Sequence, residues 1–167
     1  MALRLTTFRV WTNKNTTNEW TASLDLCDTM LLVGKNATGK SKSVHSISNM
    51  ARLISGRKSI TNGSFVAEFV DEAQRVFVYS VEIDDGIIIS EKLSVQGERD
   101  YLTRSADGTG KIYYDKQREE LEFTIQRNQL AATFRRDKSQ HSFLELLHEW
   151  ASRVWIFGFG KPQRDNF

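Results

Sequence analysis

The sequence predicts an α/β fold of α+β character, in which a strand, a glycine-rich loop and a helix precede an antiparallel β-meander. Three observations predict it. The wholly apolar run Met30–Val33 stops abruptly at Gly34. Apolar residues then recur at steps of three and four from Lys40 to Ser55, the period of an amphipathic helix. Six β-rich stretches follow, separated by Asp-Gly and Gln-Gly turn signals.

The composition indicates one globular domain spanning residues 1–167. Of the 167 residues, 40% are apolar and 26% charged, and only one is proline, so no linker divides the chain. The net charge of +2 does not by itself indicate a nucleic-acid or membrane-surface protein. The single cysteine, Cys27, excludes an intramolecular disulfide, and the first 15 residues lack a signal-peptide pattern. We therefore expect a cytoplasmic protein.

The first elements are predicted to be a β-hairpin and a buried strand. Leu3–Trp11 and Trp20–Leu26 both alternate apolar and polar residues, as strands with one buried face do. The polar loop Asn13–Asn18 joins them. Because Met30–Val33 has no polar residue, it is predicted to be a strand buried on both faces.

The helix predicted over Lys40–Ser55 has an apolar face and ends before Gly56, a suitable C-terminal cap. The residues expected on that face are Val44, Ile47, Ala51 and Ile54. The meander strands are then predicted at Phe65–Val70, Val76–Ile83, Gly86–Val95, Arg99–Thr103, Lys111–Tyr114 and Leu121–Ile125.

The last predicted elements are a helix and a strand. Residues at helical spacing form an apolar stripe comprising Phe143, Leu146, Leu147, Trp150 and Ala151. Arg153–Phe157 is predicted to be another buried strand, with Trp155 in the core.

The segment Gly34-Lys35-Asn36-Ala37-Thr38-Gly39-Lys40-Ser41 matches G-x-x-x-x-G-K-S/T, the Walker A phosphate-binding loop, or P-loop. Its two glycines allow the backbone to curl with its N–H groups pointing inward. The amides of Asn36, Ala37, Thr38, Gly39, Lys40 and Ser41 would then surround the phosphates at a helix N-terminus. Lys40 adds a positive charge near the β- and γ-phosphates, and the Ser41 hydroxyl can bind Mg²⁺.

Two segments resemble the N-terminal lobe of ABC-type P-loop ATPases of the SMC, RecF and OLD group, which includes ATPases of anti-phage defence and DNA repair. They are Phe8-Arg9 in the first strand and Leu31–Ser41, which is similar to the group's phosphate loop. The resemblance implies a P-loop NTPase fold, ATP and Mg²⁺ as cofactors, and Arg9 near the phosphates. The alternative for Arg9 is an exposed arginine on an edge strand. At Lys42, family members usually have a Ser or Thr that reaches the α-phosphate.

The resemblance also implies a dimer whose ATP binding and hydrolysis drive an action on nucleic acid or on an effector protein. Hydrolysis in this group needs a strand ending in Asp-Glu and a signature motif from a second unit. Val70-Asp71-Glu72 and Leu93–Gly97 are the nearest matches, and both are better explained as structural segments. The chain is therefore predicted to be an incomplete ATPase head, whose partner is the remaining lobe or a second subunit.

Alternative interpretations remain open. A P-loop small-molecule or nucleotide kinase would carry the same loop, although the meander is unlike its usual βαβ units. A non-catalytic interaction module could hold nucleotide for structural reasons. Two small basic clusters could contact nucleic-acid phosphates or could simply face solvent; they are Arg52, Arg57 and Lys58, and Arg135, Arg136 and Lys138. The three histidines and Cys27 lack the spacing of a metal site.

Overall fold

The computed structural model describes residues 2–13, 16–35, 39–58 and 62–157. Its strands are β1 Arg4–Thr12, β2 Trp20–Asp25, β3 Gly63–Val70, β4 Val76–Asp84, β5 Ile87–Val95, β6 Asp100–Ser105, β7 Thr109–Tyr114 and β8 Glu119–Thr124. Its helices are α1 Lys40–Ile54, α2 Ala131–Phe134 and α3 Ser142–Ser152. The strands form one sheet in the order β2-β1-β3-β4-β5-β6-β7-β8.

The predicted α/β P-loop NTPase class is wrong. Every strand pairing among the described residues is antiparallel. The described part of the chain is β-rich, with eight strands and three helices, whereas a P-loop NTPase fold has parallel strands covered by helices. Hairpin turns connect the meander strands, and these turns favour antiparallel neighbours because the connections are too short to cross over.

Met30–Val33 was predicted to be a buried strand, and this is also wrong. The segment forms no strand, and Leu31 and Val33 are 84% and 77% exposed. Asp28 is bound to Arg4 at one end of β1, with 3.2 Å between Oδ1 and Nη1. Gly39 lies against Trp20, which is paired with Thr12 at the other end. Asp28 and Gly39 therefore lie near opposite ends of β1, and the described residues between them form no strand.

The prediction of a buried strand at Arg153–Phe157 is wrong for the same reason. These residues follow α3 and form no strand. Trp155 and Phe157 are 67% and 85% exposed, so Trp155 is not a core residue. An apolar run of this length becomes a strand only when a neighbouring strand supplies hydrogen-bond partners, and its sequence does not reveal whether one exists.

The hairpin, the meander and both long helices lie where the sequence predicts them. In β1 a register shift between Leu5 and Thr7 interrupts the alternation. Such a bulge allows Leu5 and Phe8, three positions apart, to face the same core. In α1, Ala51 and Ile54 are buried as predicted, whereas Val44 is 39% exposed. Met50 and Leu53 are buried beside them, so the core face is rotated from the predicted stripe.

Helix α1 ends in hydrogen bonds that satisfy its last carbonyl groups. Gly56 has φ +74°, a conformation that favours glycine. Its N–H donates to the Leu53 carbonyl at 3.1 Å, and the Arg57 N–H donates to the Arg52 carbonyl at 2.8 Å. This is a Schellman motif, and it confirms Gly56 as the cap of this helix.

The three helices cover one face of the sheet. Trp150 of α3 packs edge-on against Phe69 of β3, with 4.7 Å between ring centroids. Thr133 of α2 donates from Oγ1 to the Ile54 carbonyl of α1 at 3.0 Å. The core between helices and sheet contains Phe8, Tyr79 and Leu144, all fully buried. None of the helices in the described part of the chain has the length and apolarity needed to cross a membrane.

A buried polar cluster fastens α2 to the sheet. Glu91 of β5 accepts hydrogen bonds from the Tyr79 hydroxyl at 2.8 Å and from the N–H groups of Ala131 and Ala132 at 2.7 and 2.9 Å. The buried Arg104 guanidinium lies 3.9 Å from the same carboxylate. Burial raises the pKa of Glu91, and the three hydrogen-bond donors oppose that shift. The carboxylate therefore joins β4, β5 and β6 to α2.

We predict that Glu91→Ala lowers the free energy of unfolding by about 3–5 kcal/mol, because it leaves the Arg104 charge buried without its partner. Urea unfolding followed by circular dichroism measures this. Glu122→Ala, on the exposed part of β8, is the control and should change stability by less than about 0.5 kcal/mol. Equal stability of the two variants would contradict a structural role for the cluster.

Candidate functional site

The glycine-lysine end of the Walker A segment forms the start of the longest helix. Gly39 is the N-cap of α1 and has φ +86°, in the left-handed region. A Cβ added there would lie 3.1 Å from Nε1 of Trp20. Glycine is therefore needed at this position both for its backbone conformation and for the close approach of β2.

Lys40 is the first residue of α1, and its side chain reaches back to Gly34 and Lys35. Its ammonium group donates to the Gly34 carbonyl at 2.7 Å and to the Lys35 carbonyl at 2.5 Å. The two ends of the segment are thus held together by the lysine that the motif requires. The charge lies beside the helix N-terminus, where the backbone N–H groups of the first turn have no partner within the helix.

Several features place positive charge at this end of α1. The first helical hydrogen bond joins the Ser43 N–H to the Gly39 carbonyl at 2.8 Å, so the preceding amides lie at the positive end of the helix dipole. The first turn contains no acidic residue. Residues 34–42 contain Lys35, Lys40 and Lys42 and no acid. Together these features favour binding of an anion.

The structure places the other predicted loop residues as follows. Gly34, Lys35 and Ser41 are exposed. Lys42 is exposed, and its ammonium lies 4.3 Å from the centroid of the Trp20 ring, a cation–π contact. The predictions for Asn36, Ala37 and Thr38 lie outside the described residues.

Arg9 lies on the opposite face of the sheet from this loop. It is paired with Ser23 of β2 and Val66 of β3. Trp20 is paired with Thr12, which lies three positions after Arg9 on β1. Because alternate strand residues point to opposite faces, Trp20 and Gly39 lie on one face and Arg9 on the other. The implied contact between Arg9 and phosphate stays a prediction of the resemblance.

Asp71 and Glu72, the closest match to a catalytic acid pair, lie in the turn between β3 and β4. The buried Asp71 carboxylate accepts hydrogen bonds from the N–H groups of Ala73 and Arg75, both at 2.9 Å, and from Arg75 Nε at 2.8 Å. Glu72 accepts a hydrogen bond from the Ala2 N–H at 3.1 Å. Every contact described for Asp71 stabilises the turn, which supports the structural interpretation.

The match to an ATPase signature at Leu93–Gly97 is also structural. Leu93 and Val95 are buried residues of β5, and Gly97 has φ +77° in the turn that follows. A signature motif would begin a helix. The structural interpretation of this segment is therefore confirmed.

Sequence reasoning missed the role of Trp20. The alternation of β2 predicts only that its ring lies on the core face, whereas the structure places it against both Gly39 and Lys42. No local signal identifies such a contact, because it joins a strand to a loop 19 residues further along the chain. A comparison with protein-family models, curated proteins and solved structures finds no match to this chain.

We predict that Asp71→Asn destabilises the protein by about 1–3 kcal/mol at pH 7, because a charged acceptor of three hydrogen bonds is lost. Burial acts to raise the pKa of Asp71, but the hydrogen bonds from Arg75 overcome it and lower the pKa below 3.8. A lowered folded-state pKa gives stability that is present above the unfolded value and lost as pH falls through the folded one.

The difference between parent and variant should accordingly shrink below about pH 4. Urea unfolding from pH 7 to pH 2.5 measures it. A difference that stays constant over this range would show that the Asp71 charge is not what stabilises the turn.

Proposed function

We propose that this protein binds ATP–Mg²⁺ through the segment Gly34–Ser41 as part of an ATPase head. The observation that carries the proposal is the position of Lys40. Its ammonium closes the loop at the Gly34 and Lys35 carbonyls, 2.7 and 2.5 Å away, beside the N-terminus of a 15-residue helix. A phosphate chain placed there would meet the ammonium, the amides of the first turn and the positive end of the helix dipole together.

Each residue of the segment has a proposed role. The backbone amides from Asn36 to Ser41 surround the phosphates, and Lys40 neutralises charge on the β- and γ-phosphates. The Ser41 hydroxyl, exposed in the first turn of α1, binds Mg²⁺. Lys42 adds a further positive charge, and the Trp20 ring holds its ammonium close to the helix start.

The remaining catalytic groups are proposed to come from a partner, which is the rest of the ATPase head or a second copy of this chain. Two observations support this. The described contacts of Asp71 stabilise the turn between β3 and β4, so Asp71-Glu72, the closest match to a catalytic acid pair, has a structural role. The apolar side chains of Leu31, Val33, Trp155 and Phe157 are each at least 67% exposed, as interface residues of an isolated subunit are.

ATP binding would then favour association with this partner, and hydrolysis would reverse it, with the γ-phosphate acting as the switch. The action so controlled is proposed to fall on nucleic acid or on an effector protein. The exposed thiol of Cys27, the single cysteine of the chain, supports a location in the reducing cytoplasm.

We predict that Lys40→Ala lowers the affinity for ATP–Mg²⁺ at least about tenfold, because about 1.4 kcal/mol or more of charge interaction is removed. Isothermal titration calorimetry measures the affinity. The fold should be retained, since the carbonyls freed at Gly34 and Lys35 are exposed to water. Lys116→Ala, in the exposed turn between β7 and β8, is the matched control.

Unchanged ATP affinity in Lys40→Ala would overturn the proposed site. ATP turnover by the isolated chain on addition of a small-molecule or nucleotide acceptor would instead support a kinase. Binding without turnover, followed by hydrolysis when the partner is supplied, is the result expected for an ATPase head.

We predict that Ser41→Ala weakens the dependence of ATP affinity on Mg²⁺ more than it weakens binding without the metal, because only the metal-binding hydroxyl is removed. Titrations with ATP in the presence of Mg²⁺ and in the presence of a chelator measure this. If Mg²⁺ raises the ATP affinity of the parent and of the variant by the same factor, Ser41 does not bind the metal.

A further inference from the structure

The two basic clusters of the sequence meet at one end of the helical layer. Arg57 and Lys58 follow the last turn of α1, whereas Arg135 and Arg136 follow α2. Arg57 and Arg136, 79 positions apart in sequence, both contact α3, Arg57 at the Ser152 carbonyl and Arg136 at the Glu145 carboxylate. The fold therefore brings together clusters that the sequence separates.

An exposed aromatic ring lies between these cations. Phe134, the last residue of α2, is 60% exposed. It lines a cavity of about 480 Å³ together with Arg57, Lys58, Asn128 and Gln129. It also lines a neighbouring concavity of about 560 Å³, with Arg135, Gln126 and Gln129 among the other residues. Both are open to solvent, so the ring is accessible from each concavity.

Among the described residues, no carboxylate forms an ion pair with Arg57, Lys58 or Arg135, the cations around Phe134. The Arg57 guanidinium donates to the Ser152 carbonyl at 3.1 Å, and Lys58 donates to Oδ1 of Asn49 at 2.8 Å. Arg135 donates to the Thr124 carbonyl at 2.8 Å. All three acceptors are neutral, and neither concavity has an acidic residue among its described lining.

Arg136 differs from these three residues. Its Nε lies 3.3 Å from the Glu145 carboxylate, which compensates its charge. The positive surface therefore consists of Arg57, Lys58 and Arg135, arranged about Phe134. We call these four residues the Phe134 surface.

The chemistry of the Phe134 surface matches an unpaired nucleotide. An aromatic ring stacks on a base, and flanking cations bind the phosphates on either side. The amides of Gln126, Asn128 and Gln129 each offer a donor and an acceptor, as base edges require. Duplex nucleic acid keeps its bases stacked on each other and cannot use the ring.

We propose that the Phe134 surface binds single-stranded nucleic acid, with a base stacked on Phe134 and backbone phosphates on Arg57, Lys58 and Arg135. The Glu91 carboxylate fixes the start of α2 through two hydrogen bonds, so the ring is presented by an anchored element. This surface is separate from the Walker A segment, and its binding requires no nucleotide.

Fluorescence anisotropy with labelled oligo-dT and oligo-U of about 15 nucleotides tests the proposal on the full chain without ATP. Phe134→Ala should weaken binding about tenfold or more, because stacking with the base is lost. Leu121→Ala removes another exposed apolar side chain, on β8 and outside both proposed sites, and is the control. Arg57→Gln combined with Arg135→Gln should reduce the slope of log affinity against log salt by about 1.4, whereas Lys116→Gln should not change it.

Binding of either oligomer with this pattern supports the proposal, and the preferred one shows whether the 2′-hydroxyl contributes. The proposal is overturned if the parent binds neither oligomer, if Phe134→Ala binds like the parent, or if a duplex binds as tightly as the single strand. The proposal would also be overturned if polyglutamate displaced the labelled oligomer as well as an unlabelled oligomer does, because negative charge alone would then explain binding. Lys40→Ala should retain parental oligomer affinity, so failure of the ATP site is distinguishable from failure of this one.

Discussion

The buried carboxylate of Glu91 anchors α2 to the sheet, and α2 in turn contacts α1. It is fully buried at the centre of a cluster that includes the Tyr79 hydroxyl, the Arg104 guanidinium and two N–H groups of α2. An ion taken out of water is stable only when such partners surround it. Helix α2 has four residues and could not persist by its own hydrogen bonds. Its position is therefore set by Glu91.

The position of α2 in turn constrains α1. Thr133 donates to the Ile54 carbonyl, and a Cβ on Gly56 would lie 3.3 Å from the Thr133 methyl group. The C-terminal end of α1 is thereby held against α2, and its N-terminal end is held against β2 by the contact of Gly39 with Trp20. A helix of 15 residues is about 22 Å long. The two proposed sites lie at its opposite ends, one for a triphosphate and one for single-stranded nucleic acid.

Much of the fold could be predicted because its signals are local. The bounds of β3, β4 and β5 differ from the predicted ones by at most two residues, since alternation and glycine turns mark each strand within its own sequence. Met30–Val33 and Arg153–Phe157 could not be predicted in this way. Their apolar side chains favour burial, but a strand also needs a neighbouring strand as hydrogen-bond partner. No such strand is described beside either segment. The contacts of the Trp20 ring and of the Glu91 carboxylate also join residues that are far apart in sequence, so no local pattern predicts them.

The distinction between local signals and long-range contacts also explains why the predicted fold class is wrong. The proposal for the Walker A segment does not depend on that class. A fold class is defined by long-range pairing, and in this chain the pairing is antiparallel throughout the described sheet. Anion binding needs only a glycine-rich bend, a lysine and the first turn of a helix, which are neighbours in sequence. The left-handed backbone of Gly39 and the hydrogen bond from the Lys40 ammonium to the Gly34 carbonyl support the proposal. The anion-binding chemistry proposed for the segment therefore depends on its local geometry and not on the direction of the neighbouring strands.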